Sequence, residues 1–190
     1  TGNKKQNWQF RTLTSTDKTK RVTTFVDEFH KETGNKALIA WNGGYILNAE
    51  LVGKLGLPES YIGSPLGLII SDSKITCPPL FNKVALLIHK SGKITIEKVT
   101  SGNGISFSFG SNSFTLKKKH CNVKGKTEGV CYYDLLHEEK KISATDRYII
   151  RLAGNVVKEV IEPGRETVNL IPVGLTISIP SNQYPGNISV

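Results

Sequence analysis

The chain has 190 residues and a mass of 20.9 kDa, enough to bury a full hydrophobic core as one domain or two small ones. Its 25 Lys and Arg against 16 Asp and Glu leave a net charge of +9, which favours anionic partners without naming one. No apolar run approaches the roughly 20 residues a membrane-crossing helix needs, so no membrane span is expected.

Residues 1–20 read as a polar N-terminal extension whose substantial anchors are Trp8, Phe10 and Leu13. The two-residue spacing of Trp8 and Phe10 suits a short strand. Val22, Phe25, Val26 and Phe29 then fall on one helical face and Gly34 supplies a stop, which predicts a helix over 21–33. Ala37 to Trp41 reads as a buried strand emerging from that helix. It delivers the chain into Trp41-Asn42-Gly43-Gly44-Tyr45, the most informative stretch of the sequence. Adjacent glycines there have no hydrophobic role and let backbone come close to something a side chain would exclude. Sites in folds of helices and strands often lie at the carboxyl ends of strands, where this turn is expected.

Asn48 is a candidate cap for a short helix through Leu55, ending near Gly56 and Pro58. Leu66 to Ile70 forms a second apolar strand, entered through Gly63-Ser64-Pro65 and left through a tight reversal at Ser71-Asp72-Ser73-Lys74. Beyond it the chain is strand-like almost throughout. Val84 to Ile88 and Ile94 to Glu97 flank Ser91-Gly92 as a hairpin, and Ile105, Phe107 and Phe109 alternate with serines. Phe114 and Leu116 repeat that pattern, as do Tyr148, Ile150 and Leu152. Further strands are expected at Gly129 to Tyr133, Val156 to Val160 and Leu175 to Ile179, with an ordinary turn at Glu162-Pro163-Gly164-Arg165. The expected class is α+β, a curled and largely antiparallel sheet with one main N-terminal helix.

Much of the positive charge is local, at Lys4 and Lys5, at Lys18, Lys20 and Arg21, and at Lys117 to Lys119. The last run follows Phe114 and Leu116 in a strand, so a solvated turn or strand end explains it better than a nucleic-acid contact. Cys77, Cys121 and Cys131 have no metal-ligand pattern; a Cys121–Cys131 bridge and three buried thiols are alternative readings. His30 could cap the helix, and His89, His120 and His137 are dispersed without ligand spacing, so neither zinc nor another cofactor is expected. Phosphate-binding loops of the dinucleotide and P-loop types are absent. One glycosylation-type triplet, Asn187-Ile188-Ser189, carries little weight by itself.

Two stretches in this order resemble a known family. Ala37-Leu38-Ile39-Ala40-Trp41-Asn42-Gly43-Gly44-Tyr45, a variable loop, and Gly63-Ser64-Pro65-Leu66-Gly67-Leu68-Ile69-Ile70-Ser71-Asp72-Ser73-Lys74 resemble the phosphodiester glycosidase domain. That is the domain of the enzyme that uncovers mannose 6-phosphate by removing an N-acetylglucosamine cover. Thr145-Asp146-Arg147-Tyr148-Ile149-Ile150 and Val156 to Val160, ahead of a strand around Leu175, look like the family's middle region. The resemblance covers roughly residues 21 to 180 and is strong from 37 to 75. The family's later Arg-x-Ala-x-Gly-like strand and Asp-Gly-Gly-Gly-Ser stretch do not occur in this chain. It therefore reads either as the N-terminal portion of a longer or cleaved protein or as a degenerate relative, with residues 21–190 forming a glycosidase-like domain that lacks its C-terminal catalytic portion.

The resemblance implies a hydrolase acting on a sugar-1-phosphodiester or related glycosidic linkage, with a glycan or sugar phosphodiester substrate. It also implies a secreted, cell-surface or periplasmic location, and a missing segment or second chain that completes the site. Such hydrolysis needs donors for phosphate oxygens, control of the leaving group and support for positive charge at the anomeric carbon. Asn42 could donate its amide to a sugar hydroxyl or phosphate oxygen, and Tyr45 could stack on the sugar; these two are the catalytic candidates. Gly43 and Gly44 could offer backbone N–H groups to an anion, with Ser64 and Gly67 on the neighbouring strand as further binding candidates. The plainer alternative at the same residues is a glycine-rich turn with a buried Tyr. Asp72 reads as a surface turn residue, and Glu50 and Glu59 supply a carboxylate only where their loop folds inward. The competing function is a non-catalytic module that binds carbohydrate, polymer or protein; nucleic acid rests on charge alone.

Overall fold

A computed structural model describes residues 9–15, 19–79, 83–101, 103–188 and 190. The expectations placed on Trp8, on Lys4, Lys5 and Lys18, and on Ser189 of the glycosylation triplet lie outside the described residues.

Helix α1 spans Val22–Thr33 and stops where Gly34 turns left-handed at φ 68° and donates its N–H to the His30 carbonyl at 2.9 Å. Strand β1 (Tyr45–Ile46) follows, then helix α2 (Ala49–Lys54), whose N-terminus is capped by Asn48 Oδ1 accepting from the Leu51 N–H at 2.8 Å. The remaining strands are β2 (Pro65–Leu66), β3 (Ile69–Ser71), β4 (Lys74–Cys77), β5 (Val84–Ile88), β6 (Ile94–Lys98), β7 (Gly104–Phe109) and β8 (Asn112–Lys117). After them come β9 (Cys131–Tyr133), β10 (Lys141–Ala144), β11 (Arg147–Ala153), β12 (Val156–Ile161), β13 (Arg165–Asn169) and β14 (Leu175–Pro180).

These strands do not form the curled sheet that the sequence suggested. One four-stranded sheet has the order β12-β11-β14-β9, and the other strands pair off two by two as β1-β2, β3-β4, β5-β6, β7-β8 and β10-β13, all antiparallel. The physical reason is local: most of these strands fold back on a sequence neighbour through a tight turn, such as Asp72-Ser73 with φ of 50° and 65° between β3 and β4. Gly67 at φ 87° separates β2 from β3, so Leu66 to Ile70 is two short strands. The helix expectation is corrected as well. α1 buries no residue, whereas the shorter α2 sends Val52 into a core.

The four-stranded sheet is buried on both faces, because its strands alternate two sets of apolar residues. On one face Tyr132, Ile150, Leu175, Ile177 and Ile179 meet Leu116 and the half-buried phenylalanines 107, 109 and 114 of the β7-β8 hairpin. On the other, Cys131, Tyr133 and Ile149 meet Ile142, Ala144 and Val168 of the β10-β13 pair. Each fully buried Ile contributes roughly 1.5–3 kcal/mol of transfer free energy. Gly174, at φ 65°, makes the entry to β14 possible: a side chain there would run into the Leu152 carbonyl oxygen. A third cluster, Leu47, Val52, Tyr61, Ala153, Ile171 and Val173, docks α2 and its neighbours at one end of that sheet.

The segment Ala37 to Trp41 is not a buried strand. Its backbone groups pair with no strand among the described residues, and Leu38, Ile39 and Trp41 stand open to solvent, Ile39 at 78% exposure. Apolar, β-branched composition makes a strand only where a neighbouring backbone takes up its hydrogen bonds, and here none does. The β5-β6 hairpin likewise exposes Val84, Leu86, Ile94 and Ile96 along one face.

Candidate functional site

The two stretches singled out in the sequence lie side by side. β1 and β2 pair antiparallel with Tyr45 opposite Leu66 and Ile46 opposite Pro65. The ladder continues as Leu47 N–H donates to the Ser64 carbonyl at 2.9 Å and Gly63 N–H donates to the Leu47 carbonyl at 2.8 Å. Leu47 is fully buried, which holds the pair to the core. Pro65 packs at the Gly154 turn between β11 and β12, and its carbonyl accepts from Cys77 Sγ at 3.6 Å. Lys158 of β12 reaches over the Tyr61 ring and donates to the Ser60 carbonyl at 2.7 Å. The turn is thus mounted on the end of the main sheet, the most rigid part of the molecule.

Asn42 folds its side chain onto its own turn, with Oδ1 accepting from the Gly44 N–H at 3.4 Å. Gly43 and Gly44 face open space where a side chain would lie, and Tyr45 is 82% exposed. Ser64 is only 4% exposed, and its Oγ has no hydrogen-bond partner among the described residues. Gly67 sits just past β2 in a left-handed conformation with open space beside it. The structure therefore brings Tyr45 next to the Ser64-to-Gly67 strand, leaves Asn42, Gly43 and Gly44 at the open approach to it, and turns Ser64 inward.

Beside β1 lies a groove of ≈ 470 Å³ with Tyr45, Ile46, Leu51 and Leu66 along it and Glu50 and Lys54 at its polar margin. Of the carboxylates weighed from sequence, Glu50 lines this groove and is held by Lys54, Oε1 to Nζ at 2.6 Å. Glu59 is exposed in the 3-10 turn Glu59–Tyr61. Asp72 is an exposed turn residue 3.7 Å from Arg11 Nη1. Below the site, burial pushes the Tyr61 hydroxyl up to about 12, with Arg151 opposing the shift and Glu159 adding to it. Burial likewise pushes the Cys77 thiol up to about 11, and partial burial lowers Lys158.

Sequence reasoning passed over Arg147 as a structural centre. It is buried, with Nε donating to Ser178 Oγ at 2.6 Å, Nη1 to the Thr127 carbonyl at 2.9 Å, and Nη2 to the carbonyls of Gly129 at 2.7 Å and Ser178 at 3.0 Å. Nη2 also lies 3.5 Å from Cys131 Sγ. The guanidinium thereby ties β11 and β14 to the segment that leads into β9. A signal was present in the sequence, since counting back by two from buried Ile149 puts Arg147 on the inward face.

The three cysteines are free, Cys77 and Cys131 buried and Cys121 half-buried. Among the described residues no three His, Cys, Asp or Glu side chains gather as a metal site, and no helix is long and apolar enough to cross a membrane. No protein-family model matches the chain, and no curated protein matches it in sequence. Among solved structures it is similar to a hypothetical protein from Synechocystis at 15% identity and a TM-score of 0.36, over 87% of this chain. The match spans 28% of the length of that protein's chain. A likeness at this level bears on neither fold nor function.

Proposed function

We propose that this chain forms one wall of a hydrolase site for a sugar-1-phosphodiester or related glycosidic linkage, with Asn42 and Tyr45 facing substrate and Gly43, Gly44, Ser64 and Gly67 shaping the binding surface. The observation that carries the reading is the β1-β2 pairing, which sets the Asn-Gly-Gly-Tyr turn against the Ser64-to-Gly67 stretch at an open groove. Open glycine backbone suits approach by a phosphate, and the exposed Tyr45 ring suits a sugar face. Glu50 is engaged by Lys54, and no second carboxylate lines the groove among the described residues, so an acid/base pair comes from another polypeptide segment or a second chain. The reading carries with it a location outside the cytoplasm.

The test uses the methyl phosphodiester of N-acetylglucosamine 1-phosphate. Saturable binding that Asn42→Ala and Tyr45→Ala each weaken, without turnover by the chain alone, is the expected result. Binding that neither substitution alters refutes the site, and turnover by the 190 residues refutes the need for a further segment. A second reading, a non-catalytic carbohydrate- or protein-binding module, is favoured by the exposed Trp41 beside the exposed Leu38 and Ile39. Binding of a neutral glycan with a dependence on Trp41 and none on phosphate selects it.

A further inference from the structure

We propose that the groove beside β1 is a sugar-phosphate subsite, with the sugar ring against Tyr45 and the phosphate on Lys54; the inference rests on the hydrolase reading above and names the contacts of its substrate. The groove's ≈ 470 Å³ falls within the roughly 300–1,000 Å³ usual for small-molecule sites. Its chemistry is divided. Ile46, Leu51 and Leu66 give an apolar floor, the exposed Tyr45 ring stands at one side, and the charged side chains lining it are Glu50 and Lys54. An apolar floor with an aromatic ring matches the C–H face of a pyranose, and the two charged groups match what such a ring carries at its edge.

Glu50 and Lys54 are 70% exposed and sit one helical turn apart, an arrangement in which the pair is weakly held and open to competition. A phosphate dianion competes for Lys54, whose ammonium has three donors, and it frees Glu50 to accept from sugar hydroxyls. The six residues of α2 are too few to offer a helix-terminus anion site, and the Asn48 side-chain oxygen is committed to the cap, so Lys54 is the phosphate contact. A purely apolar occupant leaves both charges unused, and a neutral sugar leaves Lys54 unused. The charge complement of the groove thus selects a phosphorylated sugar.

The experiment is a 1H–15N titration of the full chain with α-D-glucose 1-phosphate, with methyl α-D-glucoside and inorganic phosphate as comparison probes. Expected are saturable shifts at Tyr45 and at Glu50 to Lys54, with the sugar phosphate binding at least tenfold more tightly than either comparison probe. Lys54→Gln brings the sugar phosphate down to the level of the glucoside, with the rest of the spectrum unchanged because both rim side chains are exposed. Unaltered affinity in Lys54→Gln overturns the proposal. An Asn42→Ala arm separates it from the hydrolase reading. Shifts confined to Asn42 to Gly44 and lost in Asn42→Ala overturn the subsite and support the earlier reading. A Lys54-dependent titration indifferent to Asn42→Ala supports the subsite and overturns the role of Asn42. No saturable shift anywhere overturns both.

Discussion

Tyr61 gives the sharpest test of how the candidate site is mounted. Its side chain is fully buried among Leu47, Val52, Ala153, Ile171 and Val173, and its hydroxyl has no hydrogen-bond partner among the described residues. A buried hydroxyl left unpaired costs about 1–3 kcal/mol of desolvation, and Tyr61→Phe removes that cost while keeping the ring and its packing. The contact with Lys158, 6.0 Å above the ring centroid, also survives in Phe. The expected gain is about 1 kcal/mol, the low end of that range, which for a domain of this size is a rise of about 2–4 °C in Tm. Tyr132 is the matched control: it is equally buried, but its hydroxyl donates to the Ser101 carbonyl at 2.7 Å. Tyr132→Phe is therefore expected to lose about 1 kcal/mol.

The pH dependence adds a second readout. Tyr61 keeps its proton up to about 12 in the folded chain against 10.0 when free, so the folded state binds more protons between those values. Stability from this group is fully present below pH 10 and is lost as pH rises towards 12, and Tyr61→Phe flattens that part of the alkaline decline. Urea titrations of both variants at pH 7 and at pH 11 make the measurement. Destabilisation of Tyr61→Phe by more than about 1 kcal/mol at neutral pH refutes the argument, because it means the hydroxyl is paired.

Three further substitutions probe the division between the packed and open parts of the chain. Ile39→Asp is expected to change stability by no more than about 0.5 kcal/mol, whereas Ile177→Ala costs about 2–5 kcal/mol in urea melts. Equal effects would contradict the exposure of one and the burial of the other. Gly174→Ala combines a left-handed backbone with a clash at the Leu152 carbonyl, so a fall of at least about 1–3 kcal/mol is expected, and an unchanged unfolding midpoint counts against the tight entry to β14. Arg147→Met leaves the Thr127, Gly129 and Ser178 carbonyls without their charged donor; a loss of about 3 kcal/mol or more is expected, and a neutral result in denaturant titration rejects the guanidinium as the tie between β11 and β14.

Local signals in the chain were read well where a single residue type decides geometry. Gly34 ends α1, Asn48 caps α2, and Asp72-Ser73 turns β3 into β4, because each acts through its own backbone or a near neighbour's. Alternation located β7, β11 and β14 for the same reason. β10 and β13 went unread, since the single buried positions of Ile142 and Val168 on otherwise exposed stretches give too little contrast. At the candidate site, the sequence marked both stretches but misjudged the depth of their residues. Tyr45 stands out in solvent and Ser64 turns inward, because the register of a two-residue ladder, set by Leu47 and Pro65, chooses the face.

The sequence by itself determined where the chain turns, which segments are extended, and that Asn42 to Tyr45 and Ser64 to Gly67 belong to one question. Only the tertiary structure decided which strands find partners. It gave β9, β11, β12 and β14 neighbours on both faces and left Ala37 to Trp41 with none. The physical reason is that a turn is closed by contacts a few residues apart, whereas a sheet is closed by backbone hydrogen bonds between segments far apart in sequence. Apolar composition offers a segment for such pairing but does not choose its partner.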